Sequence, residues 1–368
     1  MQMANELRVL TSARGIAAWF VVLYHVRLAA APTLGPDLVG LFAYGYLAVD
    51  FFFMLSGFVI WLNYVDRLRA QGIAGIPVFL RRRLARIYPL HFAMLCCAML
   101  FVAGNWLTGR GIPAGYPLAE LPYHLLLIQN WGFTEHLSWN DPAWSISCEF
   151  AAYLLFPLLV LTIDWRKLPA AALVAIAAAL ILLLHGLMAA ADATRLGSDI
   201  PRFGLLRGAT QFVVGSIICA LWLRWRDRAA AAGSAAFVVC LGAFLLFLSG
   251  GSETLLMPIA FAGLLLTLAL AAEHPFNPLR SKLVHYLGEI SYATYMVHFL
   301  LFVAFKLAFV SDVQDIGPRL LAAFLGLTLL ASAGLYHFVE RPAQRWLNGR
   351  GPRGVHRDST ISINAAVN

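Results

Sequence analysis

Three side chains able to move a proton lie in stretches that are otherwise almost wholly apolar: His25, Asp50 and Glu149. Near neutral pH, histidine is the side chain best suited to take up a proton and return it. A carboxylate beside it fixes the tautomer and stabilises the imidazolium. In RGIAAWFVVLYH, Arg14 precedes His25 by about three helical turns, so the two share a face roughly 16 Å apart along the axis. Such a set suits activation of a hydroxyl for group transfer. His25 would act as base, or carry the group transiently, while Asp50 or Glu149 orients it. Taken singly, a histidine on an apolar helix is ordinarily a satisfied core residue, and a buried carboxylate can simply hold helices together. Matched depth on three segments, with an arginine on the histidine's own face, favours chemistry.

Three further patterns carry polar groups into apolar surroundings. In RRRLARIYPLHF, Arg82 and Arg83 lie four and three residues before Arg86, so the three can form one cationic helix face. That face either orients the chain at a membrane surface or cradles the phosphates of a soluble ligand. FFFMLSGFVI places Ser56-Gly57 in mid-helix, where a small pair permits close packing or opens a channel. GEISYATYMVHF sets Ser291, Tyr295 and His298 on one side of a helix, a polar face that belongs inside a bundle.

The elements positioning these residues must be membrane helices. Of 368 residues, 61% are apolar and 12% charged, with mean hydropathy +0.75, far from a soluble domain. A soluble globule, a disordered chain, a disulfide scaffold and a nucleic-acid domain are therefore excluded. The five cysteines sit in apolar stretches without C-x-x-C spacing, so neither a metal site nor a disulfide framework is implied. Ten runs long enough to cross a bilayer are expected near 14–31, 45–64, 87–107, 143–163, 169–190, 205–223, 234–249, 254–272, 290–310 and 319–338. Each must be helical to satisfy its own backbone in lipid. The segment 121–142 is apolar over too short a run and is expected to be re-entrant or interfacial. With ten crossings and the N-terminus in the cytoplasm, most of the 27 cations collect on the inner side, and both termini lie there. His185 and His337 are expected at span ends without polar company, and Lys306 is expected to snorkel.

In chain order, the pattern resembles the family-three membrane acyltransferases: Arg14-x10-His25, Phe52 to Gly57, Arg83-x-x-Arg86 followed by Tyr88-Pro89, Trp144 to Glu149 with Tyr153 and Phe156-Pro157, Ser291 to His298, and Glu340 to Pro342. The resemblance covers about residues 6–346, one membrane acyltransferase domain, and 347–368 would be a disordered cytoplasmic tail. It implies an all-α polytopic bundle in the bacterial inner membrane. It also implies O-acylation, most often O-acetylation, with acetyl-CoA or another acyl-CoA as donor and a glycan or glycolipid hydroxyl as acceptor. No tightly bound cofactor, metal or nucleic acid is expected. On this reading, Arg14, Arg82, Arg83, Arg86 and Ser56 serve the acyl-CoA, whereas Trp144, Ser145, Tyr153, Tyr295 and His298 serve the acceptor or the thioester. Many relatives carry a fused esterase-like domain outside the membrane. Its place is taken here by a short tail, suggesting direct transfer or a separate periplasmic partner. The competing expectation is a proton-coupled carrier of sugars or small metabolites, which would also need intramembrane carboxylates and a histidine.

Overall fold

A computed structural model describes residues 2–274, 276–310 and 316–349. The expected tail lies, from residue 350 onward, outside the described residues. Every regular element among them is helical. In chain order these are α1 (Gln2–Val26), α2 (Ala31–Phe42), α3 (Ala48–Gln71), α4 (Ile76–Leu107), α5 (Leu121–Leu125), α6 (Ala143–Thr162), α7 (Ala170–Ala189), α8 (Ile200–Trp225), α9 (Ala229–Leu248), α10 (Glu253–Leu270), α11 (Lys282–Glu289), α12 (Ser291–Phe309), α13 (Pro318–Leu335) and α14 (Arg341–Gly349), joined by short 3-10 turns. A five-residue π-helical turn, Tyr336–Glu340, links α13 to α14.

Eight stretches are long and apolar enough to cross a membrane, and two of them, Gly45–Leu107 and Ile200–Leu248, each hold two long helices. All ten expected crossings are therefore present as helices. The first is displaced: α1 stops at Val26 instead of continuing to residue 31, and Gly35, with φ 74°, kinks the short α2 that follows. On α9 only Ala236 and Ala243 are buried, while Phe237, Val238, Leu245 and Leu246 are exposed. So much unbroken apolar surface is stable only against lipid.

The centre is built by close helix crossings. A Cβ on Gly57 of α3 would collide with the Phe212 carbonyl of α8, and one on Gly215 of α8 would collide with the Met54 carbonyl of α3. The two glycines thus let the backbones touch, as small residues do at membrane helix interfaces. Gly15 on α1 and Gly288 on α11 make a second such crossing, which sets Arg14 beside the start of α12.

Segment 121–142 does not cross as a helix. After the short α5 it runs irregularly, with His124, Gln129, Asn130, Ser138 and Asn140 buried in protein. Side chains supply the missing backbone and polar partners: Gln129 donates to the Ala143 carbonyl at 3.0 Å, and Ser138 to Glu120 at 2.6 Å. Irregular backbone at membrane depth is tolerated when protein covers it in this way. Two histidine expectations fail. His185 is 2.7 Å from the Thr254 hydroxyl and His337 is 3.1 Å from that of Tyr286, because facing helices supply polar partners that a single span does not reveal. The ammonium of Lys306 lies over the Phe302 ring, 4.7 Å from its centroid.

Candidate active site

Two cavities meet inside the bundle, and Val49 and Tyr295 line both. The first, about 180 Å³, is lined by Arg14, Ser56, Arg83, Arg86, Ser145, Glu149 and Tyr153. The second, about 400 Å³, is lined by Tyr24, His25, Asp141, Trp144, Arg195 and Arg207. Arg14 and His25, on one face of α1, thus open into different cavities, with Tyr295 between them. Of the residues singled out from the sequence, Asp50 and His298 stand behind the walls, and Arg82 lines neither cavity.

In the first cavity each charged group already has a protein contact. Arg14 donates to the Ser291 hydroxyl at 2.9 Å and to the Gly288 carbonyl at 3.0 Å. Arg83 donates to the Tyr64 hydroxyl at 3.0 Å, and its buried Nε has no partner. Arg86 is ion-paired with Glu340, which the π-helical turn carries inward, and lies over the Tyr292 ring. Ser56 donates to Glu149 at 2.7 Å. At the junction the Tyr295 and Ser145 hydroxyls are 2.8 Å apart, and both donate to the Pro142 carbonyl at 3.0 Å. A hydroxyl has one proton, so these contacts are shared in turn.

The second cavity holds the histidine. His298, fully buried, has Nδ1 3.1 Å from the Thr294 carbonyl and Nε2 3.2 Å from His25 Nδ1. His25 Nδ1 is also 3.0 Å from the Val21 carbonyl. For two neutral imidazoles only one proton arrangement satisfies all three contacts. His298 Nδ1–H donates to Thr294, its Nε2 accepts, and His25 Nδ1–H is shared between that nitrogen and Val21. His25 Nε2 is left with a lone pair and makes no hydrogen bond among the described residues. Asp141, on the same cavity wall, has its carboxyl pushed up by burial.

Residues 9–337 match the family described as "Acyltransferase domain". The chain belongs to this acyltransferase family. It is 31% identical to "Acyltransferase MdmB" of Streptomyces mycarofaciens over 385 aligned positions, covering 94% of each chain. It is 27% identical to "Exopolysaccharide production protein ExoZ" of Rhizobium meliloti (strain 1021), covering 85% of this chain and 93% of that one. A shorter match, 40% identical over 105 residues, is to "Protein 2 in picA locus" of Rhizobium radiobacter. No solved structure matches.

Within this acyltransferase the expected catalytic grouping is rearranged. Neither Asp50 nor Glu149 touches His25: Asp50 is held by Arg207 in a two-pronged pair, at 2.8 and 3.3 Å, and Glu149 takes the Ser56 hydroxyl. The His25 tautomer is fixed by the Val21 carbonyl, and the side chain beside it is His298, which the motif on α12 suggests for the acceptor or the thioester. Expected depth along a helix does not say which way a side chain faces around it. The Arg82, Arg83 and Arg86 face is also split, since only the latter two reach the cavity and Arg86 is neutralised by Glu340. Arg207 was missed. Its signal was a cation just inside the 205–223 span, able to answer the Asp50 charge within lipid.

Proposed function

We propose that this acyltransferase moves an acyl group, most simply acetyl, from acyl-CoA to a hydroxyl of a glycan or glycolipid. The first cavity would take the donor and the second the acceptor. The observation that carries the reading is the pairing of a cationic cavity with a histidine-lined one across a single tyrosine. The guanidinium groups of Arg14 and Arg83 suit the phosphates of a CoA, and the unpartnered Arg83 Nε is a donor such a ligand would satisfy. The pantetheine arm would then run past Ser56 to the junction at Tyr295. On this reading the arginine end faces the cytoplasm of a bacterial inner membrane, both termini lie there, and His25 lies toward the outer side.

His25 Nε2 accepts the proton of the acceptor hydroxyl as its oxygen attacks the thioester carbon. His298 Nε2 meanwhile takes a stronger hydrogen bond from the Nδ1–H of the imidazolium that forms. When the C–S bond breaks, the imidazolium returns the proton to the CoA sulfur. Trp144 and Tyr24 offer the aromatic faces, and Asp141 the carboxylate, that hold a polyhydroxylated ring. A saccharide-type acceptor is further supported by the name of the ExoZ relative, an exopolysaccharide production protein.

The test uses proteoliposomes of the full chain given acetyl-CoA and an envelope extract from a strain lacking the protein. Release of CoA thiol that depends on both supports acyl transfer. Movement of extract solutes across the vesicle wall without CoA release would establish a carrier instead.

A further inference from the structure

Arg207 is 1% exposed, inside a membrane helix, and lines the same cavity as His25. Its Nε and one terminal nitrogen bind the two oxygens of Asp50, which is fully buried. The guanidinium also lies against the Trp144 ring, 5.3 Å from the centroid. The remaining nitrogen, Nη1, is buried and has no partner. A structural ion pair in lipid needs its protons satisfied, because an unanswered N–H there is destabilising. A guanidinium fixed on two sides, with its third side unanswered beside a cavity, is instead arranged to donate to something that arrives.

We infer that Arg207 is a catalytic residue, its Nη1 donating to the thioester oxygen as that oxygen becomes an oxyanion; this rests on the acyl-transfer reading. The acceptor O–H bond breaks, its proton passes to His25 Nε2, and the new C–O bond forms. The carbonyl π pair moves onto oxygen, where Arg207 receives it. Collapse of the tetrahedral intermediate reforms C=O, breaks C–S and returns the proton to sulfur, so no other reactant is required. Asp50 is then a positioning residue. It holds the guanidinium in one orientation and keeps the resting site neutral, so Arg207 does not trap an anion. No other arginine of the two cavities combines near-complete burial with an unused terminal N–H. Arg14, Arg83 and Arg86 are all more exposed, and Arg195 lies on the surface.

The experiment compares Arg207→Lys and the paired variant Asp50→Leu/Arg207→Leu with the unmodified full chain. The probes are radiolabelled acetyl-CoA and the envelope extract. Lysine keeps the charge opposite Asp50 but loses the fork, whereas the paired variant removes the ion pair as a unit. The expected result is a fall in kcat of about 100-fold or more in both, with KM for acetyl-CoA within threefold and both variants monodisperse in detergent. Recovery of activity in the paired variant would assign the arginine to packing and overturn the inference. So would near-normal kcat in Arg207→Lys, or failure of both variants to fold. Absence of transfer in the unmodified chain would instead refute the acyl-transfer reading itself.

Discussion

Replacing His298 by leucine should leave the bundle folded and slow acyl transfer by about 5- to 15-fold. In the resting site His25 Nδ1–H is shared between His298 Nε2 at 3.2 Å and the Val21 carbonyl at 3.0 Å. Removing one acceptor leaves the other, so the correct tautomer survives and the ground state loses little, about 0.5–1.5 kcal/mol for a neutral hydrogen bond. The larger loss comes as His25 becomes imidazolium, when the same contact is a charge-assisted bond of about 1.5–3 kcal/mol. The rate reads the difference between the two, about 1–1.5 kcal/mol, which at 1.36 kcal/mol per tenfold change is roughly 5- to 15-fold. The loss should appear in kcat, with KM for acetyl-CoA unchanged, since His298 lines neither cavity. His298→Gln, whose amide oxygen can accept from Nδ1–H, should recover part of it. Steady-state transfer from radiolabelled acetyl-CoA in membranes reads both numbers. Wild-type kcat in His298→Leu, or an effect confined to KM, would refute the relay from His298 to His25.

Breaking the Arg86–Glu340 pair on one side, as in Glu340→Gln, should lower stability in detergent by about 3–5 kcal/mol, because it strands a buried charge; Arg86→Met/Glu340→Met should recover much of this, read by thermal unfolding of the purified chain. The segment around His124 should make stability depend on pH. Burial, aided by the charge of nearby His91, pushes the His124 imidazole down to about 3, and its Nε2 is 2.9 Å from a Ser138 hydroxyl that donates to Glu120. Since the unfolded chain takes up this proton near pH 6.5 and the folded chain only near 3, stability is complete above about 6.5 and falls with pH between those values. His124→Gln should flatten the melting-temperature profile in that window.

Composition and span length were enough to read the architecture, because lipid leaves a helix few alternatives. The limits of the sequence show at particular residues. The expected first crossing ran past Val26 because apolarity continues there, while Gly35 and the two prolines of α2 redirect the chain. Arg14, Ser56, Arg83 and Arg86, expected to serve the acyl-CoA, line one cavity together with Glu149, Ser145, Tyr153 and Tyr295, for which other roles are expected from the sequence. Their pairings were not legible, because a partner's identity depends on rotation about the helix axis and on which helix lies opposite. Asp50 shows this most clearly: its depth is expected from the sequence to match that of His25, yet its carboxylate faces α8, where Arg207 waits 157 positions away in sequence. Ser56 and Gly57 divide the two roles considered for them. The glycine makes the α3–α8 crossing, and the serine faces the cavity.

The central claim is that the lone pair on His25 Nε2 takes the acceptor proton in acyl transfer. Membranes bearing the unmodified chain or His25→Ala can be given radiolabelled acetyl-CoA and envelope extract, and label on the acceptor counted. The account predicts clear transfer by the unmodified chain and at least 100-fold less by a His25→Ala protein of normal abundance and fold. Undiminished labelling by His25→Ala would contradict it.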